Sequence, residues 1–458
     1  MRTRSIALVV VCACAHVAAP AGAPPAPAPP AEVAAYREAA ARIVDAALAD
    51  DGAYRKLAHL TDFIGARLAG SPALERAVAW AVDELRAEGH ENVRAEPATV
   101  PVWIRGAESA AIVRPVERPI AILALGGSSA TTPDGVEAPV VVVSDWAAFD
   151  ALGDGARGKI VLFNWKMPPY GPKGSGYGDG SKYRVDGPAK AAARGAVAAL
   201  VRSVTATSLG SPHTGMTKLD RPFPAAAVSV EDADLLARLA AAGEVRVRLK
   251  LSARTLPDAP SANVVGEIVG REHPEEIVVI GGHLDSWDVG QGAHDDGTGV
   301  VTMMQTVTVL RKLGLRPRRT IRVVLYTNEE NGQKGATAYA AAHASERHVV
   351  ALESDSGGFR PLGFGVKGAD ERLTQRVRVA AALLERLGPM KVAPGFGGTD
   401  IKPLADNGVP VVGLEVDGSK YFDYHHSVAD TLDKVDPKEL AMDVAAVAVF
   451  AYVMADAP

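Results

Sequence analysis

Thiols are nearly missing from this chain. Its cysteines are Cys12 and Cys14, both at the extreme amino terminus, so no disulfide framework can staple the remainder and stability must come from the packed core. Charge of one sign is missing too. Fifty-four acidic residues against 49 basic ones give a formal net charge of −5, which removes the bulk electrostatic case for nucleic-acid binding. After the amino terminus, no apolar run approaches the ~20 residues a membrane-spanning helix requires, and no tandem repeat is present. A hydrophobic fraction of 48% over 458 residues describes a compact globular protein. That length exceeds one ordinary hydrophobic core, so two domains, or one with a large insertion, are expected.

The amino terminus has its own grammar. Arg2 and Arg4 precede an apolar run at residues 6–11, followed by small residues ending in Ala19-Pro20-Ala21 and Ala21-Gly22-Ala23. This order is that of an export signal over residues 1–23, with an apolar run too short to span a bilayer. A mature chain cut near Ala21 or Ala23 would carry no thiol, and its destination would be the periplasm or the exterior. Cys14, three residues after Val11, offers lipid attachment as the alternative. Residues 24–31 are rich in proline and read as an extended tether.

Helical spacing of apolar residues predicts helices over 32–49, 53–64 and 74–88, the last introduced by Ser71-Pro72 and ended by Gly89. Residues 93–102 read as extended. Short strand-like runs follow to about 251, with a buried strand at 158–164, a helix opening at Gly187 and a strand at 195–201. This stretch lacks the carboxylate and histidine clusters found later, and 116–251 reads as an inserted β-rich or mixed domain. From residue 252 strands at 262–268, 276–280, 320–326, 349–352 and 409–414 alternate with helices at 299–314, 335–343, 370–387 and 437–454. Such alternation predicts an α/β fold, a mostly parallel mixed sheet covered by helices on both faces. Residues 32–115 would supply the amino-terminal part of that domain and 252–458 the rest.

The chemistry gathers at the ends of these strands, where an open α/β sheet keeps its active site. His283 and Asp285 leave a strand two residues apart, so both can face one side; one can bind a metal while the other receives the imidazole N–H and fixes its tautomer. Asp295 and Asp296 precede a glycine-containing helix start. Asp295 is the better bridge between two ions, with Asp296 capping the helix. Glu329-Glu330 ends an apolar strand, and two adjacent acids are costly there unless a cation neutralises one. Glu330 is read as a metal ligand and Glu329 as general acid and base. Asp355 follows another strand, and His425-His426 follows an aromatic stretch. Spacing cannot choose between these histidines, though His426 is favoured. The set can hold two zinc ions per subunit: Asp295 bridging, His283 and Asp355 on one, Glu330 and His426 on the other, with cobalt or manganese also compatible. Ions about 3.5–4 Å apart can acidify a water for attack on a carbonyl, Glu329 taking its proton.

Five motifs carry a resemblance: Gly282-His283-Leu284-Asp285-Ser286, residues 292–299, Asn328-Glu329-Glu330, Glu353-Ser354-Asp355 and residues 426–431. Together they resemble the M28 family of cocatalytic zinc aminopeptidases and carboxypeptidases, over most of the chain after the export segment. The resemblance implies that His283, Asp295, Glu330, Asp355 and His426 are the ligands, that Glu329 is the base and that Asp285 orients His283. It further implies that the insertion is a protease-associated domain, that the protein is a homodimer, and that it hydrolyses small peptides with unblocked ends. The glycine-rich stretch 395–400 resembles the family's pocket wall, making Gly397, Gly398, Asp400 and His425 candidate substrate contacts. His294 departs from the family pattern and either touches substrate or packs. Rival readings are an aminoacylase-like amidohydrolase, a noncatalytic peptide-binding protein and an interaction protein built around the insertion.

Overall fold

The computed structural model of the protein describes residues 30–171 and 174–458. The expected export signal, both cysteines and residues 24–29 of the expected tether lie outside them. Pro30 and Ala31 belong to the first helix, Pro30–Leu48, rather than to a tether. The helix expected over 53–64 stops at His59, and a wider π-helical turn, Leu60–Ile64, completes it.

The described strands form two sheets. β1 (Glu91–Ile104) opens the first. β2 (Glu108–Arg114), β3 (Arg118–Ile120), β4 (Ile122–Ala124), β5 (Val136–Val143), β6 (Ile160–Phe163), β7 (Ala198–Arg202), β8 (Ala225–Val228) and β9 (Arg246–Leu251) build the second. The chain then returns to the first with β10 (Arg254–Ile268), β11 (His273–His283), β12 (Arg319–Tyr326), β13 (Arg347–Glu353), β14 (Pro361–Lys367), β15 (Lys391–Pro394) and β16 (Val411–Val416). The order in the first sheet is β1-β10-β12-β11-β13-β16-β14-β15. Its centre, β12-β11-β13-β16, is parallel, while β1, β10 and β14 pair antiparallel with their inner neighbours.

Alternation along β11 explains why this centre is buried on both sides. Val278 and Ile280 join one core with Val300, Met304 and Phe450. Ile277 and Val279 join another with Tyr326, Tyr339 and Leu404. Successive side chains of a strand point to opposite faces, and helices must cover each. Helix Thr298–Lys312 is buried from Thr298 to Leu310, and the carboxy-terminal helix Pro437–Asp456 packs beside it.

The second sheet has the order β3-β2-β9-β5-β6-β7-β8-β4. It has its own apolar cores, with helices Trp146–Leu152, Tyr177–Ala193 and Val230–Ala242 in the same stretch of chain. It takes in β2, which lies before residue 116. Helix Tyr177–Ala193 begins well before Gly187.

Phe450 is fully buried, with its ring 5.3 Å from that of Phe364 across the main core. Phe450→Ala is expected to lower unfolding free energy by about 3–5 kcal/mol, read from the midpoint and slope of chemical denaturation.

Candidate active site

The parallel strands deliver the predicted residues to one end of the sheet. His283 is the last residue of β11, Glu329 and Glu330 follow β12, Asp355 follows β13, and His425 and His426 follow β16 and the short helix Tyr421–Tyr424. Asp295 lies in the turn Ala293–Gly297 before the central helix, in non-helical conformation and joined to Asp296 by a cis peptide.

These side chains converge. Asp295 Oδ1 lies 3.3 Å from His283 Nε2, and Asp295 Oδ2 lies 3.3 Å from His426 Nε2. Asp355 Oδ1 stands 3.5 Å from His283 Nε2, and Glu330 Oε2 stands 3.0 Å from His426 Nε2. His425 Nε2 is also 3.5 Å from Asp295 Oδ2, but of the two histidines it is His426 that lies beside Glu330. Ligand arms of about 2.0–2.2 Å at a tetrahedral zinc put neighbouring donor atoms roughly 3.3–3.5 Å apart, which is near the spacing here. His283 Nε2, Asp295 Oδ2 and Glu330 Oε1 are buried without a hydrogen-bond partner. The donor set therefore fits zinc.

Both imidazoles are held by their other nitrogen. His283 Nδ1 lies 3.0 Å from the Asp285 carbonyl oxygen, and His426 Nδ1 lies 3.2 Å from the Thr214 carbonyl oxygen. Donation from Nδ1–H in each case leaves the Nε2 lone pair facing the cluster. Orientation of His283 thus comes from the main chain of Asp285. The Asp285 carboxylate, 3.8 Å from Nδ1, instead accepts from the backbone N–H groups of Glu329 at 3.0 Å and Glu330 at 3.4 Å. It fixes the turn that carries both glutamates. Asn328, which starts that turn, has φ +65°, a conformation asparagine tolerates better than most residues.

Asp296 accepts from the N–H of Gly299 at 3.1 Å, as a helix cap would, and from the N–H of His283 at 3.0 Å. Two supports were not read from sequence. Asp430 accepts from the N–H groups of His294 and Asp295, at 2.7 and 3.2 Å. Arg67, fully buried, donates to the carbonyls of Leu284, Gln291 and Gly292 at 2.6, 2.8 and 2.9 Å. Its signal was a single arginine among small residues in a segment that reads as a turn.

The glycine-rich stretch lies partly behind the cavity wall. Thr399 reaches the cavity wall, whereas Gly397, Gly398 and Asp400 are not among the residues that line it. Gly398 packs on Glu353: a Cβ there would sit 2.2 Å from the Glu353 carboxylate, which accepts from the N–H groups of Asp400 and Ile401 at 3.0 Å each. Glycine is needed for close packing behind the wall. His425 does line the cavity. His294 packs, stacked on Phe359 with ring centroids 4.4 Å apart and accepting from the N–H of Gly358.

Crowding of acids sets the electrostatics. Burial and the neighbouring Asp295 push the Glu330 carboxyl up to about 7, and burial pushes Glu329 well above the usual glutamate range. Burial and Asp295 likewise push Asp430 up to about 7. Carboxylates gathered this closely need protons or cations, and two divalent ions would meet that need without protonating the ligands.

The cavity, about 920 Å³, is composite. Asp295, Glu329, Glu330, Asp355, His425 and His426 line one part. Tyr170, Tyr177, Arg184, Met216 and Lys218, from the chain segment of the second sheet, line another. Tyr177 stacks on Phe422 at 4.5 Å, and Arg105 pairs with Asp288 at 2.5 Å while donating to the Thr214 hydroxyl at 3.4 Å, which ties the two parts together.

A strand-end cluster of imidazoles and carboxylates on this fold defines a metallopeptidase, and the chain belongs to Peptidase family M28, whose sequence profile matches residues 263–451. Its relatives include Carboxypeptidase Q of Bos taurus and of Homo sapiens. Each is 40% identical over 434 residues, covering 93% of this chain and 90% of the relative. A crystal structure of a Peptidase M28 precursor from Shewanella amazonensis superimposes with a TM-score of 0.89 at 38% identity, over 93% of this chain and 98% of that one. A zinc aminopeptidase from Bacillus subtilis shares the fold, with a TM-score of 0.63 at 21% identity over 87% and 94% of the two chains.

Asp430 holds the backbone of His294 and Asp295 by hydrogen bonds from their N–H groups. Asp430→Ala is expected to weaken zinc affinity by about 10–100-fold, measured by competition with a fluorescent chelator; unchanged affinity would contradict this support role.

Proposed function

We propose that this metallopeptidase is an exported dinuclear zinc exopeptidase that hydrolyses dipeptides or short peptides with unblocked ends. One observation carries the reading: the two oxygens of Asp295 each lie 3.3 Å from the Nε2 of a different histidine, an arrangement suited to a carboxylate bridging two ions. His283 and Asp355 would hold one ion, Glu330 and His426 the other. Bound there, the ions supply Lewis acidity toward a peptide carbonyl and lower the pKa of the attacking water.

The remaining work falls to the chain. Glu329 lines the cavity and has its backbone anchored by Asp285. Its carboxylate accepts the proton that water loses as oxygen bonds to the carbonyl carbon, then returns it to the amine as the C–N bond breaks. Burial, which raises its carboxyl, brings its affinity for a proton toward that of the groups it exchanges with. Asp285 acts through the Glu329-Glu330 turn and, by its carbonyl, through His283. His425 is a substrate contact on the cavity wall.

The peptidase unit takes residues 30–104 and 252–458, and the insertion, read as a protease-associated domain, takes β2 to β9, since β2 pairs with β3 and β9 in the second sheet. The family resemblance supports export and a homodimer. A cavity walled partly by the insertion favours short chains over folded proteins. The name Carboxypeptidase Q, borne by relatives at 40% identity, supports the exopeptidase assignment.

Glu329→Gln should keep its zinc and lower kcat by about 10²–10⁴-fold, whereas Glu330→Ala should lose zinc occupancy as well. Zinc content by plasma emission spectrometry and dipeptide hydrolysis, measured in parallel, separate the two roles. Equal zinc loss in both variants would refute the assignment.

A further inference from the structure

We infer that Glu415, near the end of β16, selects substrates whose amino-terminal residue carries a cationic side chain, that of lysine or arginine. The inference rests on the exopeptidase reading above and deepens it, naming the residue that sets which dipeptides the same site prefers.

Glu415 stands apart from the rest of its strand. Val411, Val412, Gly413, Leu414 and Val416 of β16 are buried, whereas Glu415 is exposed and lines the catalytic cavity. Among the described residues no hydrogen bond and no neighbouring charge acts on its carboxylate, which partial desolvation by the cavity wall alone pushes up. Lys367, on the adjacent strand β14, lies instead over the Phe396 ring, 5.9 Å from its centroid. A carboxylate open to a substrate cavity and without a partner of its own is suited to a cation that the substrate brings.

Its position is built. Gly365 of β14 and Gly395, just after β15, pack against each other beneath the carboxylate: a Cβ on Gly365 would collide with Glu415 Oε1, and one on Gly395 would lie 3.2 Å from the same atom. A side chain at 365 would displace the carboxylate. Tyr170 of the insertion, 45% exposed, also lines the cavity, and a Cβ on Gly418 would lie 4.0 Å from its ring. A carboxylate and an aromatic ring therefore share one stretch of wall, and an ammonium or guanidinium gains from both.

Sheet order sets the polarity. Glu329 follows β12, His283 ends β11, Asp355 follows β13 and Glu415 belongs to β16, and these strands adjoin in that order. The departing amine takes its proton from Glu329 at one end of this row, so the residue that keeps the scissile carbonyl extends toward the other, where Glu415 stands. Distance then selects which of its groups arrives. Glu353 pairs with Gly413, so Asp355 and Glu415 each lie two residues beyond one register point, and from there the Glu415 carboxylate turns over Gly365 of β14. Two strand spacings, about 9–10 Å, separate β13 from β14. An α-amino nitrogen shares its carbon with the carbonyl and stays about 2.5 Å from it. A lysine side chain carries its ammonium about 6 Å from Cα, and a charge-assisted hydrogen bond of about 2.8 Å closes the gap.

The test compares lysyl-alanine with norleucyl-alanine, which lacks only the ammonium, and alanyl-lysine with alanyl-norleucine, on the zinc-loaded protein. kcat/KM for lysyl-alanine should exceed that for norleucyl-alanine by at least about tenfold, and alanyl-lysine should gain nothing over alanyl-norleucine. Glu415→Gln should bring the lysyl-to-norleucyl ratio toward unity, and Glu415→Lys should turn the preference to glutamyl-alanine, with two zinc ions retained in both variants. A ratio near unity before substitution, a ratio that survives Glu415→Gln, or an advantage confined to alanyl-lysine overturns the inference. So does equal loss of activity toward every dipeptide with loss of zinc in Glu415→Gln, which would make Glu415 a structural support. Failure of the exopeptidase reading looks different: no dipeptide is cleaved, and calorimetric affinities of lysyl-alanine and norleucyl-alanine for the zinc-loaded protein then decide the role of Glu415, equal binding or none overturning it.

Discussion

Negative charge crowded at the ends of parallel strands is the constraint on which this structure depends. Asp285, Asp295, Asp296, Glu330, Glu353, Asp400 and Asp430 are buried around two cluster histidines, and burying carboxylates together is unfavourable unless cations or donated hydrogens compensate. The chain answers in layers. Backbone N–H groups satisfy Asp285, Asp296, Asp430 and one oxygen of Glu353; neither oxygen of the Asp400 carboxyl has a hydrogen-bond partner, and Asp295, Glu330 and Asp355 face the cluster histidines. Arg67 ties together the carbonyls of the loops between β11 and the central helix. Carboxylates that would oppose folding if isolated become a scaffold for metal.

The second constraint is that this scaffold is not complete within one sheet. The nitrogen of His426 that faces away from the cluster meets a carbonyl of Thr214, a residue of the chain between β7 and β8. The His426 tautomer therefore depends on how the segment between β7 and β8 docks. Trp103 and Trp287 pack into an apolar core with Ile112, Val140 and Leu200 of the second sheet, and Thr207 donates to Asp423 at 2.5 Å. These contacts join the strand-end cluster to the part of the cavity wall that the second sheet's chain segment supplies.

Much of this was legible because apolar periodicity and acid-histidine pairs are local signals. The run before His283 reads as a buried strand, and it is one, with Val278 and Ile280 on one face and Ile277 and Val279 on the other. The five ligand candidates stand out as polar residues ending such runs. β14 was not legible, since Pro361, Gly363 and Gly365 interrupt its apolar pattern, and its strand state is fixed by antiparallel pairing with β16. Gly178, Gly180 and Pro188 similarly masked the helix that carries Arg184. Gly397, Gly398 and Asp400 suggest a pocket wall because glycine permits close approach; in the structure the Glu353 carboxylate approaches Gly398 and the Val411 side chain approaches Gly397. Long-range supports such as Arg67 and Asp430 have no local period to betray them.

Zinc-edge anomalous diffraction from crystals of the metal-loaded protein tests the central claim most directly. Two peaks should flank the Asp295 carboxylate, one beside His283 and Asp355 and the other beside Glu330 and His426. A single peak, or a pair of ions bound away from Asp295, would contradict the account.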